Sequence, residues 1–189
     1  MVKNQVHSSQ SGIFDISAAM LHIIAMTFML MDHLWATLLP AQDWLTCVGR
    51  LAFPIFAFMA VEGYFHTHSF KKYILRLLLF AVLSEIPFDL MYGGTWFYPF
   101  HQNVIWTLLI GLSGIHLMEK VRKKQKLWIF LPTAVLVVLV GSALGTVGMA
   151  DYYGAGVLTL FIFYFFRGRK WWCFSGQLLA LYWVNVELL

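Results

Sequence analysis

The sequence has 189 residues, of which 60% are hydrophobic, 17% are aromatic and only 12% are charged, and its formal net charge is +4. Soluble domains contain roughly 45–50% apolar and about 25% charged residues, so this chain has too few polar side chains to cover a water-exposed surface, and its many aromatic residues exclude a disordered chain. We therefore predict an all-α, polytopic membrane protein that forms a single domain over residues 1–189.

The chain contains seven apolar runs that follow one another with short connections. Backbone amide groups in a bilayer must pair within their own segment, so runs of this length predict helices rather than strands. We predict about seven transmembrane helices, of which the last two are the shortest, and we expect no removable signal peptide before them. The runs lie at about residues 16–39, 44–65, 73–91, 103–118, 127–145, 153–166 and 171–186.

Lysine and arginine are concentrated in alternate connections between these runs. The connections near Lys71, near residues 120–126 and near residues 167–170 are basic, whereas those around Gln42, Gly93 and Gly148 contain no lysine or arginine. Basic loops stay on the cytoplasmic side, so we predict a cytoplasmic N-terminus in a multi-pass protein of the cell (inner) membrane, in contact with membrane lipids. The basic residues form clusters between apolar runs and no continuous stripe, so no nucleic-acid partner is expected.

The two cysteines, Cys47 and Cys173, fall on opposite membrane faces in this topology. We therefore expect no disulfide, and neither cysteine has neighbours with the spacing of metal ligands. The sequence predicts no metal site.

Ionisable side chains also occur inside the predicted helices, where each costs at least about 2.5–3.5 kcal/mol and therefore needs a partner or a function. At a rise of 1.5 Å per residue, their positions divide them into two groups by depth. The outer group contains Asp32, His33, Arg50, Glu85, Asp89, Asn103 and Thr107, and the inner group contains His22, Glu62, His66 and Arg76.

Helical periodicity aligns several of these residues on common faces. His22 and His33 are eleven residues apart and share one stripe of the first helix with Met26 and Met29. We therefore expect a polar stripe that leads inward from an outer site. This geometry suits a reaction whose two substrates approach from opposite sides of the membrane.

Structural interpretations of the same charges remain open. Arg50 could be neutralised by Glu85 or Asp89 in an ion pair, and Glu62 and Arg76 could extend to water at the inner face. A single intramembrane histidine such as His22 can also serve only as a hydrogen-bonding group between helices.

Several polar motifs occur together in the first half of the chain. They are Met31-Asp32-His33, Gly49-Arg50-Leu51-Ala52-Phe53-Pro54, Val61-Glu62-Gly63-Tyr64, Leu75-Arg76-Leu77, Ser84-Glu85-Ile86-Pro87-Phe88-Asp89 and Gln102-Asn103-Val104. Over residues 21–112 the sequence resembles the TraX family in these motifs. The resemblance also implies a further Tyr-Asn-Gly segment and a last helix with a histidine, and this sequence ends at Leu189, before that helix.

The resemblance implies a membrane acetyltransferase that uses cytoplasmic acetyl-CoA, because the namesake of the family acetylates the N-terminal amine of a conjugative pilin subunit. The acceptor is then an amine or hydroxyl, such as a pilin or peptide N-terminus or a surface glycan. The positions that match the polar motifs of the family are Asp32, His33, Arg50, Glu62, Arg76, Glu85, Asp89 and Asn103.

Acetyl transfer needs a base, donors for the developing oxyanion and a dry site. We hypothesise that His33 is the base, or accepts the acetyl group covalently. A carboxylate of Asp32, Glu85 or Asp89 would fix its tautomer, and Arg50 with Asn103 would bind the oxyanion.

For the acetyl-CoA donor, we predict binding by inner residues. The basic inner loops, Lys71 with Lys72 and Lys120 to Lys126, could attract the phosphates of coenzyme A, although plain membrane topology also explains the lysines. Glu62 and Arg76 are the other predicted donor-binding residues.

A second class of function is compatible with a small helical bundle that contains buried charges. The chain could be a substrate-capture subunit or a small-molecule or ion transporter. Such capture subunits usually show small residues spaced by three on the first helix, whereas here Ala18 and Ala19 are followed four residues later by His22 and Ile23.

Overall fold

The computed structural model describes residues 17–124, 126–168 and 170–185, and every helix or strand assigned in these ranges is an α-helix. The eight helices of this part of the chain are α1 (Ala18–Thr37), α2 (Asp43–Gly49), α3 (Ala52–His66), α4 (Phe70–Tyr92), α5 (Val104–Lys124), α6 (Leu127–Val147), α7 (Tyr153–Phe165) and α8 (Trp171–Asn185). The predicted all-α bundle is therefore confirmed. The start of the first predicted run, at residue 16, and the end of the last, at residue 186, lie outside the described residues.

The second predicted span consists of two helices, α2 and α3, which together cover Asp43–His66. Pro54 has no N–H group, so the carbonyl of Arg50, four residues earlier, has no helical donor. Arg50 and Leu51 form the turn between the two helices while keeping right-handed helical dihedral angles. If α2 and α3 are counted as one span, the described residues contain seven helical segments, which matches the prediction.

Four segments of the described chain are long and apolar enough to cross a membrane, namely Ala18–Thr37, Asp43–His66, Val104–Lys124 and Leu127–Val147. Helix α4 is as long, with 23 residues, but it contains three basic residues near its start and two acids near its end. Helix α7 is apolar but has only 13 residues. The architecture is that of a helical membrane bundle.

The centre of the bundle lies between α5 and α7. Leu112, Ile115 and Met118 of α5 and Leu160 and Phe161 of α7 are all almost completely buried. Helices α3, α5, α6 and α8 pack around α7. This packed centre separates the two ends of the bundle.

Helix α1 lies at the periphery and packs mainly against α2 and α3. Ala25 is the one residue of this helix that is fully buried. The expected inward stripe is not formed, because His22 and Met26 lie on the uncovered surface, and the His22 ring bonds only to the carbonyl of Ala18 at 2.9 Å. Sequence periodicity placed these residues on one helix face, but it could not show which part of that face other described helices cover.

Helices α1 and α2 approach each other most closely at Gly49. A Cβ atom on Gly49 would lie 2.6 Å from Asp32 Cβ and 2.7 Å from the Asp32 backbone nitrogen. The absence of a side chain therefore sets the distance between the two helices at the position of Asp32.

We predict that Gly49→Ala displaces α1 and lowers stability by about 1–3 kcal/mol, as overpacking does elsewhere. Thermal unfolding of the purified protein in detergent measures the effect. Gly63→Ala is the matched control, because its Cβ would meet only the Tyr73 hydroxyl at 3.2 Å. Equal unfolding temperatures for the two variants would contradict this role of Gly49.

The predicted orientation places the connections around Gln42, Gly93 and Gly148 outside the cell, and we refer to that side of the bundle as the outer end and to the opposite side as the inner end. Cys47 of α2 is exposed near the outer end, whereas Cys173 of α8 is buried near the inner end.

We expect a membrane-impermeant maleimide to label Cys47 in intact cells, because the thiol is exposed on the outer side. Mass-tag gel shifts in the Cys47→Ser and Cys173→Ser variants distinguish the two sites. If Cys47 is labelled only in permeabilised cells, the predicted orientation of the protein is wrong.

Candidate functional site

A polar cavity of about 160 Å³ lies at the outer end of the bundle, and we call it the outer pocket. Helices α1, α2 and α4 and the connections that follow α2, α4 and α6 contribute its walls. The lining residues are Asp32, His33, Trp35, Thr46, Arg50, Phe88, Tyr92, His101, Asp151, Tyr152 and Tyr153. Three residues predicted from the sequence, Asp32, His33 and Arg50, therefore share one cavity.

The side chains of α1 are held at the pocket by the contact with α2. Thr46 Oγ1 donates a hydrogen bond to Asp32 Oδ1 at 2.8 Å, directly beside Gly49. His33 Nδ1 and Trp35 Nε1 are buried and have no hydrogen-bond partner among the described residues. Buried polar atoms are normally paired, so these two nitrogens are exceptions beside the cavity.

Arg50 lines the outer pocket without a charged partner. It is half-buried, and no carboxylate of the described residues lies within 4 Å of its guanidinium nitrogens. The predicted alternative of an ion pair with Glu85 or Asp89 is therefore not formed. A guanidinium group in this state can bind an anion or a developing negative charge.

Glu85 and Asn103 join α4 to the start of α5 beside the pocket. Glu85 accepts hydrogen bonds from the amide side chain of Asn103 and from Trp106 Nε1, the latter at 2.7 Å. Asn103 Nδ2 also donates to the carbonyl of Ala81 at 2.8 Å, and its Oδ1 accepts from the Ile105 N–H at 3.0 Å. These bonds use the polar groups of both residues to position the two helices, and neither residue lines the cavity.

Asp89 fixes the connection between α4 and α5. The residue is 2% exposed, and its Oδ2 accepts a hydrogen bond from the Tyr98 backbone N–H at 2.9 Å. Its Oδ1 has no partner among the described residues. The six predicted catalytic residues thus divide into three that line the pocket and three, including Asp89, that support its walls.

The outer pocket also contains a histidine–carboxylate pair that sequence reasoning missed. His101 Nε2 lies 3.6 Å from Asp151 Oδ1, and the ring of His101 is stacked on Phe88 at a centroid distance of 5.4 Å. Two features of the sequence could have indicated this pair. His101 lies two residues before the predicted site residue Asn103, and Asp151 is the single charged residue in the connection between α6 and α7. Only the fold shows that these two connections meet.

The connection between α6 and α7 is held in an unusual conformation. Met149, Tyr152 and Tyr153 have φ values of 50°, 61° and 46°, in the left-handed region that residues other than glycine rarely adopt. Two backbone hydrogen bonds of 2.9 Å join this connection to Gln102, and Tyr152 stacks on Phe53 at 4.2 Å. Such strain persists only where surrounding contacts enforce it, and here the contacts direct Asp151 and two tyrosines into the pocket.

The electrostatics of the outer connections favour a protonated imidazole at position 101. The Asp151 carboxylate raises the pKa of His101 above its ordinary value of 6.5, burial opposes this effect, and Glu85 adds to it. Burial and the charge of Asp151 also raise the pKa of the Tyr152 phenol, so Tyr152 is neutral and able to donate a hydrogen bond.

The predicted donor-binding residues do not form one cluster. Glu62 is paired with Arg167 through two hydrogen bonds of 2.7 and 3.0 Å. Lys71, Lys72 and Arg76 are exposed on α4, and within the described residues no hydrogen bond or ion pair joins them to Glu62. Arg167, which lies 105 residues away in sequence, was not predicted as a partner.

Comparison with known proteins gives one family and one curated relative. The model of the family described as "TraX protein" matches residues 17–189. The chain is 35% identical over 118 residues to a protein of Dichelobacter nodosus described as "Probable fimbrial assembly protein FimC, serogroup H1", in an alignment that covers 53% of this chain and 46% of that protein. The chain thus spans about half the length of that relative. No solved structure matches.

We predict that the unfolding temperature decreases as the pH rises above about 6.5, the unfolded pKa of histidine. The folded pKa of His101 is higher than this, so the stabilisation by Asp151 is complete below the unfolded pKa and is lost as the pH rises through the folded pKa. Thermal unfolding in detergent at a series of pH values measures the slope.

Asp151→Asn should flatten this dependence, whereas Asp43→Asn, which removes an exposed carboxylate at the start of α2, should leave it unchanged. A slope that is the same in wild type and Asp151→Asn would show that the pair does not contribute.

Proposed function

The chain belongs to the TraX family, and on this premise we propose that it is a pilus-related acetyltransferase of the cell (inner) membrane, which transfers an acetyl group from cytoplasmic acetyl-CoA to an amine or hydroxyl acceptor. The description of the Dichelobacter relative as a fimbrial assembly protein supports a pilin or another surface peptide as acceptor. The observation that carries the proposal is the outer pocket, where an unpaired guanidinium group shares one cavity with two histidines and two carboxylates.

The reaction requires that the acceptor loses a proton as it attacks. In the proposed step, the acceptor nitrogen or oxygen forms a bond to the thioester carbonyl carbon, the carbon–sulfur bond breaks, and coenzyme A leaves as the thiolate. His33 takes the proton of the acceptor, because its side chain lines the cavity. Of the three carboxylates that the sequence suggested for orienting His33, Asp32 is the one that lines the cavity.

The carbonyl oxygen gains negative charge in the transition state. Arg50 supplies a fixed positive charge in the same cavity, and a site shielded from water makes this interaction stronger than it is in solution. The Tyr152 phenol and the His101 imidazole, which both line the cavity, provide additional hydrogen-bond donors. Asn103, which the sequence suggested for this role, instead supports Glu85 and α5.

The proposal separates the places where the two substrates enter. The acceptor reaches the outer pocket from the outer side, whereas acetyl-CoA is a cytoplasmic compound. The packed residues between α5 and α7 close the direct route in this structure. Transfer therefore requires that helices separate, and α1, which is the least covered of the long apolar helices, is the element that can move at the lowest cost in buried surface.

We predict that His33→Gln reduces acetyl transfer by about 10²–10⁴-fold, the usual contribution of a general base. The assay uses the purified protein in nanodiscs, radiolabelled acetyl-CoA and a synthetic pilin-type peptide with a free N-terminus. A peptide with a blocked N-terminus and a hydroxyl-bearing glycan distinguish the acceptor classes. Arg50→Gln should reduce the rate by about 10²–10³-fold, as the loss of one oxyanion donor does.

His22→Gln is the matched control, because it changes an exposed imidazole on the same helix. A correctly inserted His33→Gln protein that transfers acetyl at the wild-type rate would refute the assignment of the base. Saturable binding of a small solute without any transfer would instead favour the alternative of a substrate-capture subunit or transporter.

A further inference from the structure

A second cavity, of about 390 Å³, lies at the inner end of the bundle, and we call it the inner pocket. It is formed where α5 ends, α6 begins and α7 ends. Its lining residues are Arg122, Leu127, Phe130, Tyr164 and Phe165. Arg122 lies in the basic segment 120–126, which the sequence suggested could attract the phosphates of coenzyme A, but the cavity itself was not predicted. None of the lining residues belongs to the outer pocket.

A buried carboxylate holds the guanidinium group of the inner pocket. Glu119 is 7% exposed and accepts hydrogen bonds from Arg122 Nη1 at 3.1 Å and from the Tyr164 hydroxyl at 2.8 Å. The side chain of Arg122 is nevertheless 63% exposed, so its other N–H donors are accessible at the mouth of the cavity. The pair thus fixes a cation in position without using its full hydrogen-bonding capacity.

The remaining surroundings combine apolar walls with positive charge. Leu127, Phe130 and Phe165 supply the apolar lining. The exposed residues Lys120, Lys123, Lys124 and Lys126 surround Arg122 in sequence. Membrane topology explains a basic connection at this end, but it does not require an arginine anchored to a buried acid at the opening of a cavity.

From this arrangement, we infer that the inner pocket binds a phosphate-bearing amphiphile. Arg122 contacts the phosphate, because a guanidinium group binds phosphate oxygens through two parallel hydrogen bonds, and the neighbouring lysines attract the anion. The apolar walls accept the attached chain. Acetyl-CoA and an anionic phospholipid share this chemistry and are the two candidate ligands, which we call the two sources. Only binding of acetyl-CoA rests on the proposed function.

The length of α5 bears on the choice between these two sources. Asn103 and Arg122 are 19 residues apart, which corresponds to about 28 Å along a helix. A thioester bound in the inner pocket would need a large movement to reach the outer pocket, whereas a phospholipid would need none. The two sources therefore have to be tested separately.

The test measures binding to the purified full chain in detergent, so that its outcome does not depend on acetyl transfer. Native mass spectrometry counts bound phosphatidylglycerol, with phosphatidylcholine as the comparison lipid, and equilibrium dialysis measures radiolabelled acetyl-CoA. The Glu119→Gln/Arg122→Gln double variant removes both members of the pair and therefore leaves no unpaired buried charge. Arg122→Lys keeps the charge but loses the planar donor geometry.

We expect the double variant to weaken binding of phosphatidylglycerol or acetyl-CoA by about tenfold or more, with a smaller loss in Arg122→Lys. Lys124→Gln is the matched control, because it removes one positive charge from the same helix end without changing the pocket lining, and it should change binding by less than about threefold.

If the double variant loses only the binding of phosphatidylglycerol, the ligand of the inner pocket is the phospholipid. If it loses the binding of acetyl-CoA, the ligand is the acetyl donor. Equal binding of both probes in wild type and double variant, or equal losses in the double variant and Lys124→Gln, overturns the inference. Acetyl transfer by wild type, measured in the nanodisc assay, tests the proposed function independently of either outcome.

Discussion

The close contact between α1 and α2 is the constraint on which the outer pocket depends. Gly49 allows the two helices to approach until only backbone and Cβ atoms separate them, and the hydroxyl of Thr46 then reaches Asp32. Because Ala25 is the one fully buried residue of α1, this crossing contributes strongly to where His33 lies relative to Arg50. The side chain that we propose as the base lies on a peripheral helix and is thus positioned by a glycine on the neighbouring helix.

The opposite wall of the pocket is held by a different kind of interaction. There the backbone of Gln102 pairs with Met149 and Asp151, and the hydroxyl of Thr107 donates to the carbonyl of Asp151. These bonds hold Met149 and Tyr152 of the connection, and Tyr153 at the start of α7, in left-handed conformations. Loops usually vary more than the helices they join, so a loop fixed by backbone pairing and strain is well suited to present polar groups at a defined position.

The sequence was sufficient to predict the membrane helices, because hydrophobic runs and the cost of unpaired backbone groups leave few alternatives. It also indicated Asp32, His33 and Arg50, because charges in apolar segments are conspicuous. The sequence could not show that Glu85 and Asn103 would form a hydrogen bond with each other, or that Glu62 would pair with Arg167, which lies 105 residues away. Tertiary packing determines these partners. His101 and Asp151 were missed because polar residues in the connections between helices are not conspicuous in the way that charges inside apolar segments are.

The shortness of α7 has a consequence for how an acceptor reaches the protein. Its 13 residues span about 20 Å, roughly 10 Å less than the hydrocarbon thickness of a typical bilayer. Longer neighbours surround this helix, and a cavity lies at each of its ends: Tyr152 and Tyr153 line the outer pocket, and Tyr164 and Phe165 line the inner pocket. An acceptor of the proposed reaction would therefore enter at the end of a short helix that is flanked by longer ones.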